Sequence, residues 1–333
     1  MKVRLAFAVA LIVLVAAMAN LFPGRAQEAS VREQSAENNG AAVNPLKLAL
    51  LKWFPVYWHT SFTVGNTQNS NPYGIAFDGA NIWTANSGEG TVSKLRASDG
   101  AALGTFTVGG QPNFVVFDGA NVWVTVSPNT VSKLRASDGK ILGSFTVGSA
   151  PWWPAFDGED IWVPNFSDGT VSKLRASDGK TLGTFNVPGA IGAAFDGENV
   201  WVTGYGYRTV TKLRAKDGTI LGTYHVGGSP IGVAFDGANI WVANNGDNSV
   251  TKLRASDGKN LGTFLTGGAY GVAFDGADLW VTTAPGLSEV RVSDGALIRH
   301  FNYFNGGGAT TGIAFDGADI WVGNGLGKTV SKF

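Results

Sequence analysis

The chain contains no cysteine among its 333 residues, which excludes disulfides, thiolate nucleophiles and cysteine-held zinc or haem. Histidine is nearly as scarce: His59, His225 and His300 are the only three, widely separated in the chain. Net charge is absent too, with 25 basic and 25 acidic residues, so no global basic field recruits nucleic acid and no acidic tail exists. Long hydrophobic runs are missing except at Leu5–Ala19, which follows Lys2 and Arg4. A spanning helix needs about 20 apolar residues, and Asn20 and Pro23 cut this run short. It reads as a signal peptide over 1–19, with Ala17-Met18-Ala19 as the small-x-small cleavage site. Gly24-Arg25-Ala26 offers a second cleavage site, extending the leader to 26. The expected location is secreted or periplasmic, and membrane contact arises only if this segment stays uncleaved as an anchor. Residues 20–58 form a linker: 27–43 are small and polar, and Asn44, Pro45 and Pro55 bracket a short helix over 45–54.

What is abundant is glycine, 47 residues of it, placed with a period. Phe-Asp-Gly begins at Phe77, Phe117, Phe156, Phe195, Phe235, Phe274 and Phe315, and a tryptophan follows each at a fixed distance, from Trp83 to Trp321. The phrase KLRASDG then recurs from Lys94, Lys133, Lys173 and Lys252, with drifted copies at Lys212 and Glu289. A period near 40 rich in short strands is the signature of propeller blades. Each unit supplies four strands, typified by GIAFDG, NIWVAN, TVSKLRA and LGTFTVG, with Asp-Gly at two of the hairpins. The fold class is therefore all-β: one seven-bladed β-propeller of four-stranded blades over 59–333. The last unit ends on TVSKF without a fourth strand, and TSFTVG at 60–65 has the fourth-strand pattern. The ring is expected to close by pairing this N-terminal strand with the C-terminal blade.

In KLRASDG, Asp-Gly makes the turn, and Lys and Arg alternate on the strand entering it, their stems covering apolar surface while the charges stay wet or meet turn aspartates. A catalytic site has one geometry and does not recur around a ring. These phrases and the Phe-Asp-Gly aspartates read as structural joints.

The pattern P-x-G-x-A-F-D-G followed by W-V-x-N resembles the YVTN and NHL class of seven-bladed propellers, which includes streptogramin-lyase-like proteins. The resemblance spans about 60–333 and implies architecture more than activity. Streptogramin lyases use a histidine and a glutamate with magnesium in the propeller mouth. No mouth position here carries a histidine, so none of those roles transfers; no catalytic residue, metal site or cofactor is expected, and the chain reads as a monomer.

One rim is monotonous, carrying the Asp-Gly turns; the other varies, and function belongs on variable loops held by a rigid scaffold. Four residues before each Phe, bordering the central opening, stand Tyr73, Asn113, Trp152, Ile191, Ile231, Tyr270 and Thr311, with Trp153 beside Trp152. The loops after the second strands add Asn86, Asn165, Asn244 and Asn324, the aromatics Phe166, Tyr205 and Tyr207, and the acids Glu89, Asp168 and Asp247. Rings give contact area and amides give orientation, a mixture suited to a small molecule, glycan or peptide. The same aromatics also serve loop packing, and the three acids either converge on a hard cation or stay solvated. Two functions remain open: an extracytoplasmic binding propeller without chemistry, or a lyase or lactone hydrolase with its site in the mouth.

Overall fold

The computed structural model describes residues 59–284, 286–302 and 310–333; the expected leader, linker and 45–54 helix lie outside them. Within this range 28 strands form seven antiparallel four-stranded sheets. The first blade runs Pro72–Phe77, Asn81–Asn86, Thr91–Arg96 and Ala102–Thr107, from innermost to outermost. Inner strands of successive blades touch one another all the way round, including the seventh against the first, so they surround the axis. Closure is by strand exchange. Thr60–Thr63 forms the outer strand of the seventh blade, paired antiparallel with Thr329–Lys332 in the register Thr60 to Lys332.

Burial follows position in the blade. Second strands are covered on both faces, as in Ile82, Trp83, Thr84 and Ala85, because each blade is sandwiched between two others. Outer strands alternate exposed and half-buried residues, as a sheet edge does. The core lies between blades: Trp83, Ala85 and Val92 of the first pack against Val115, Val122, Val124 and Leu134 of the second. Val64, Trp321 and Val330 likewise pack across the closure onto Ile75, Ile82 and Leu95.

The repeated phrases make these joints, and the lysine is where the structure departs from expectation. The lysine does not stay wet. Lys94 is buried, its ammonium lies 5.1 Å from the Trp83 ring centroid, and it donates to the Ala136 carbonyl of the next blade at 2.6 Å. Lys133, Lys173, Lys212, Lys252 and Lys332 repeat the arrangement, the last reaching Ala97 across the closure. Arginine does stay at the surface, paired with its own turn aspartate, as Arg96 with Asp99 at 2.8 Å. The turn glycine has φ of +73° at Gly139, and a Cβ there would meet the ring of Phe106 from the preceding blade at 2.1 Å. Glycine is thus required twice, by backbone and by neighbour.

The Phe-Asp-Gly aspartate accepts the indole N–H of the blade's tryptophan in all seven blades, at 2.7 Å from Trp83 to Asp78. Its other oxygen takes turn amides, those of Ala80 and Asn81 in the first blade. Burial alone raises the Asp78 pKa, but the hydrogen bonds from Trp83, Asn81 and the backbone outweigh it and hold the carboxyl below its usual range. The sixth blade carries Glu289 in place of lysine. The blade it faces takes its outer strand from Thr60–Thr63, so it has no hairpin there to offer a carbonyl. Glu289 instead pairs with Arg299, whose guanidinium lies over the Trp280 ring.

Candidate functional site

The inner strands carry a glycine three residues before the Phe of Phe-Asp-Gly in five blades: Gly74, Gly192, Gly232, Gly271 and Gly312. A Cβ at Gly192 would meet the Ile231 carbonyl oxygen at 2.3 Å, and one at Gly312 the Tyr73 oxygen at 2.4 Å, because adjacent blades approach through their backbones here. The second and third blades carry Phe114 and Trp153 at this position instead. Those two rings stack with centroids 4.4 Å apart and planes 17° apart. Trp153 reaches across to the sixth blade, where its Cη2 lies 2.8 Å from where a Gly271 Cβ would stand.

Around this stack the mouth acquires an aromatic floor. Tyr73 meets Phe114 and Trp152 edge-on at 5.7 and 5.8 Å, and Tyr270 at 6.3 Å. Trp152 lies 5.4 Å from Phe114, and Trp153 lies 6.5 Å from Tyr270. Tyr270 donates its hydroxyl to that of Tyr73 at 3.2 Å. Burial, then the neighbouring Tyr73 hydroxyl, pushes the Tyr270 phenol far above the ordinary tyrosine range, so it stays a neutral donor. Tyr73, Trp152, Trp153 and Tyr270 remain partly exposed, whereas Phe114 is buried beneath them.

Of the residues expected from sequence, these four are brought together. Phe114 escapes the sequence reading, although replacement of the pattern's glycine marks it. Trp153 is held by its backbone, which bridges the inner strand of the fourth blade: its N–H donates to Ile191, and its carbonyl accepts from Ala193. Asn113 is not a mouth residue; it is buried and donates to Ser127 and to the Pro151 carbonyl, joining the second and third blades.

The amides also go elsewhere. Asn86, Asn165 and Asn244 have no exposed surface and Asn324 is half-buried. Each donates to two hydroxyls of its own third strand, Asn86 to Thr91 and Ser93 at 2.9 Å. Through these bonds they tie second strand to third. The three acids do not converge. Glu89 accepts from Asn66 and Thr67, Asp168 from Ser149 and Asp247 from Gly228, so each caps the loop leading into its own blade. Among the described residues no group of three His, Asp or Glu side chains is arranged to hold a metal ion. Of the histidines, His225 and His300 lie on outer strands and His59 just precedes one.

Tyr205 and Tyr207 stand apart from the floor, at an open hollow of about 430 Å³ on the variable rim between the third and fourth blades. Phe166 and Tyr205 meet there edge to face, 5.7 Å apart.

These features define a seven-bladed β-propeller whose axis is stopped by stacked aromatics below a partly exposed aromatic mouth. Solved structures that it resembles include streptogramin B lyases. Virginiamycin B lyase from Staphylococcus aureus, as the selenomethionine-substituted protein, matches with a TM-score of 0.70 and 20% identity over 82% of this chain and 98% of that one. A catalytically inactive variant of that lyase with quinupristin gives 0.70 and 19%, covering 82% and 98%. A streptogramin B lyase gives 0.70 and 18%, covering 83% and 96%. At this identity the likeness is one of fold. No protein-family profile and no curated protein sequence matches the chain.

Proposed function

We propose that the chain is an extracytoplasmic binding propeller that captures a small molecule, glycan or peptide through a flat apolar face laid on the mouth aromatics. The observation that carries this reading is the convergence of Tyr73, Trp152, Trp153 and Tyr270 from three blades, with exposed ring surface above a buried Phe114. Rings fixed by stacking lose little freedom on binding, which is what makes aromatic anchors effective. The extracytoplasmic part rests on the apolar Leu5–Ala19 run behind Lys2 and Arg4.

The fold comparisons lend more direct support to a second reading, a lyase or lactone hydrolase acting in the mouth, since virginiamycin B lyase shares this propeller. Such chemistry needs an acid and a base within reach of the bound lactone. The polar device on this floor is the tyrosine hydroxyl pair. A thermal-shift panel of glycans, peptides and cyclic lactones, followed by mass spectrometry of each stabilising compound after incubation, separates the two. The binding reading expects a stabilising compound recovered intact; a compound recovered ring-opened or cleaved establishes the enzyme.

A further inference from the structure

The hollow on the rim between the third and fourth blades has a composition unlike the mouth. Phe166 and Tyr205 form two walls at 77° to each other, and Tyr207, 60% exposed, supplies a third ring. Asp168 lines the same hollow, and its carboxylate is fixed in place by the Ser149 N–H at 2.6 Å. No lysine, arginine or histidine is among the lining residues. The nearest cation in sequence, Arg208, is drawn toward the fifth blade by an ion pair with Asp247 at 3.0 Å.

We infer that this hollow is an aromatic cage for a quaternary or methylated ammonium group of the choline type. A sugar stacks on one flat ring, whereas perpendicular rings present several π-faces to a rounded cation, whose charge is attracted by each. The carboxylate supplies the countercharge at the edge, and with no cation in the lining an anionic ligand has no partner. The Arg208–Asp247 pair keeps the cage free of the protein's own guanidinium. Asp168 and Tyr207 belong to the cage alone.

The test titrates the folded protein with tetramethylammonium and choline by calorimetry, beside sodium chloride and the neutral carbon isostere of choline. Both cations are expected to bind saturably and the neutral isostere about tenfold more weakly. Tyr207→Ala and Asp168→Asn are each expected to weaken choline about tenfold, while Trp152→Ala in the mouth leaves it within about twofold. Tyr207 is exposed and Asp168→Asn keeps an acceptor for Ser149, so loss of fold does not mimic these effects. Equal binding of the neutral isostere, a response to cellobiose in place of the cations, silence to every probe, or insensitivity to both cage variants overturns the proposal.

Discussion

Lys133→Met is the most informative single perturbation of the scaffold. Its ammonium donates to the carbonyls of Ala176 at 2.6 Å and Ser177 at 3.2 Å in the next blade, and lies 5.0 Å from the Trp123 centroid. A hydrogen bond from a charged donor contributes about 1.5–3 kcal/mol, and a desolvated cation–π contact about 1–2 kcal/mol. Against these, methionine removes the cost of burying an ammonium, several kcal/mol in unfavourable cases, and keeps most of the stem's packing. The carbonyls that lose their donor add about 1–3 kcal/mol to the damage. We expect a net destabilisation of about 2 kcal/mol, read as a lower urea midpoint at unchanged slope. Arg135→Met, on the same strand, breaks the exposed pair with Asp138 of the following turn and is the control, expected to leave the urea midpoint nearly unchanged. If Lys133→Met is as mild as Arg135→Met, or raises the midpoint, the lysines do not join the blades.

Three further outcomes follow from the joints. Asp278→Asn is expected to stabilise slightly at pH 7, by less than about 1 kcal/mol at this largely solvated site, because Asn81, Asn121, Asn199 and Asn239 hold this position in other blades and donate to their aspartates. Burial and the adjacent Asp275 raise the Asp278 pKa; a raised carboxylate is best tolerated when protonated, so the gain should vanish as pH falls below about 4, and a pH-independent gain refutes the cause. Gly139→Val is expected to cost upward of about 1 kcal/mol from the left-handed φ, with further cost from the Phe106 contact, while leaving ligand binding by the folded fraction intact; undiminished stability counts against it. Deletion through Val64 removes the outer strand of the seventh blade and is expected to give aggregation or a large drop in melting temperature; an unchanged monomeric transition refutes closure.

Blade number, strand order and closure are legible because they repeat: Phe-Asp-Gly, the tryptophan and the missing fourth strand each state a local geometry. The destination of Lys94 is not, since its acceptor lies 42 residues away in a different blade and nothing local records the direction. The buried asparagines mislead for a different reason. Hydroxyls recur five and seven residues after each, at Thr91 and Ser93 after Asn86, and that spacing places them on the facing strand. Tyr73, Trp152 and Tyr270 emerge from one position of the repeat, and Phe114 escapes because, like Trp153, it occupies the next, where five blades have glycine. Ligand chemistry leaves no periodic trace, so sequence locates the rim and not its occupant.

Capture of a ligand by the stacked aromatic floor is decided by titrating the compound that most stabilises the wild type into Trp152→Ala/Tyr270→Ala. The double variant is expected to keep its melting temperature within a few degrees and to lose about 2 kcal/mol or more of affinity, some thirtyfold. Equal affinity in the double variant, or no stabilising compound in any class, would show that these rings only close the axis.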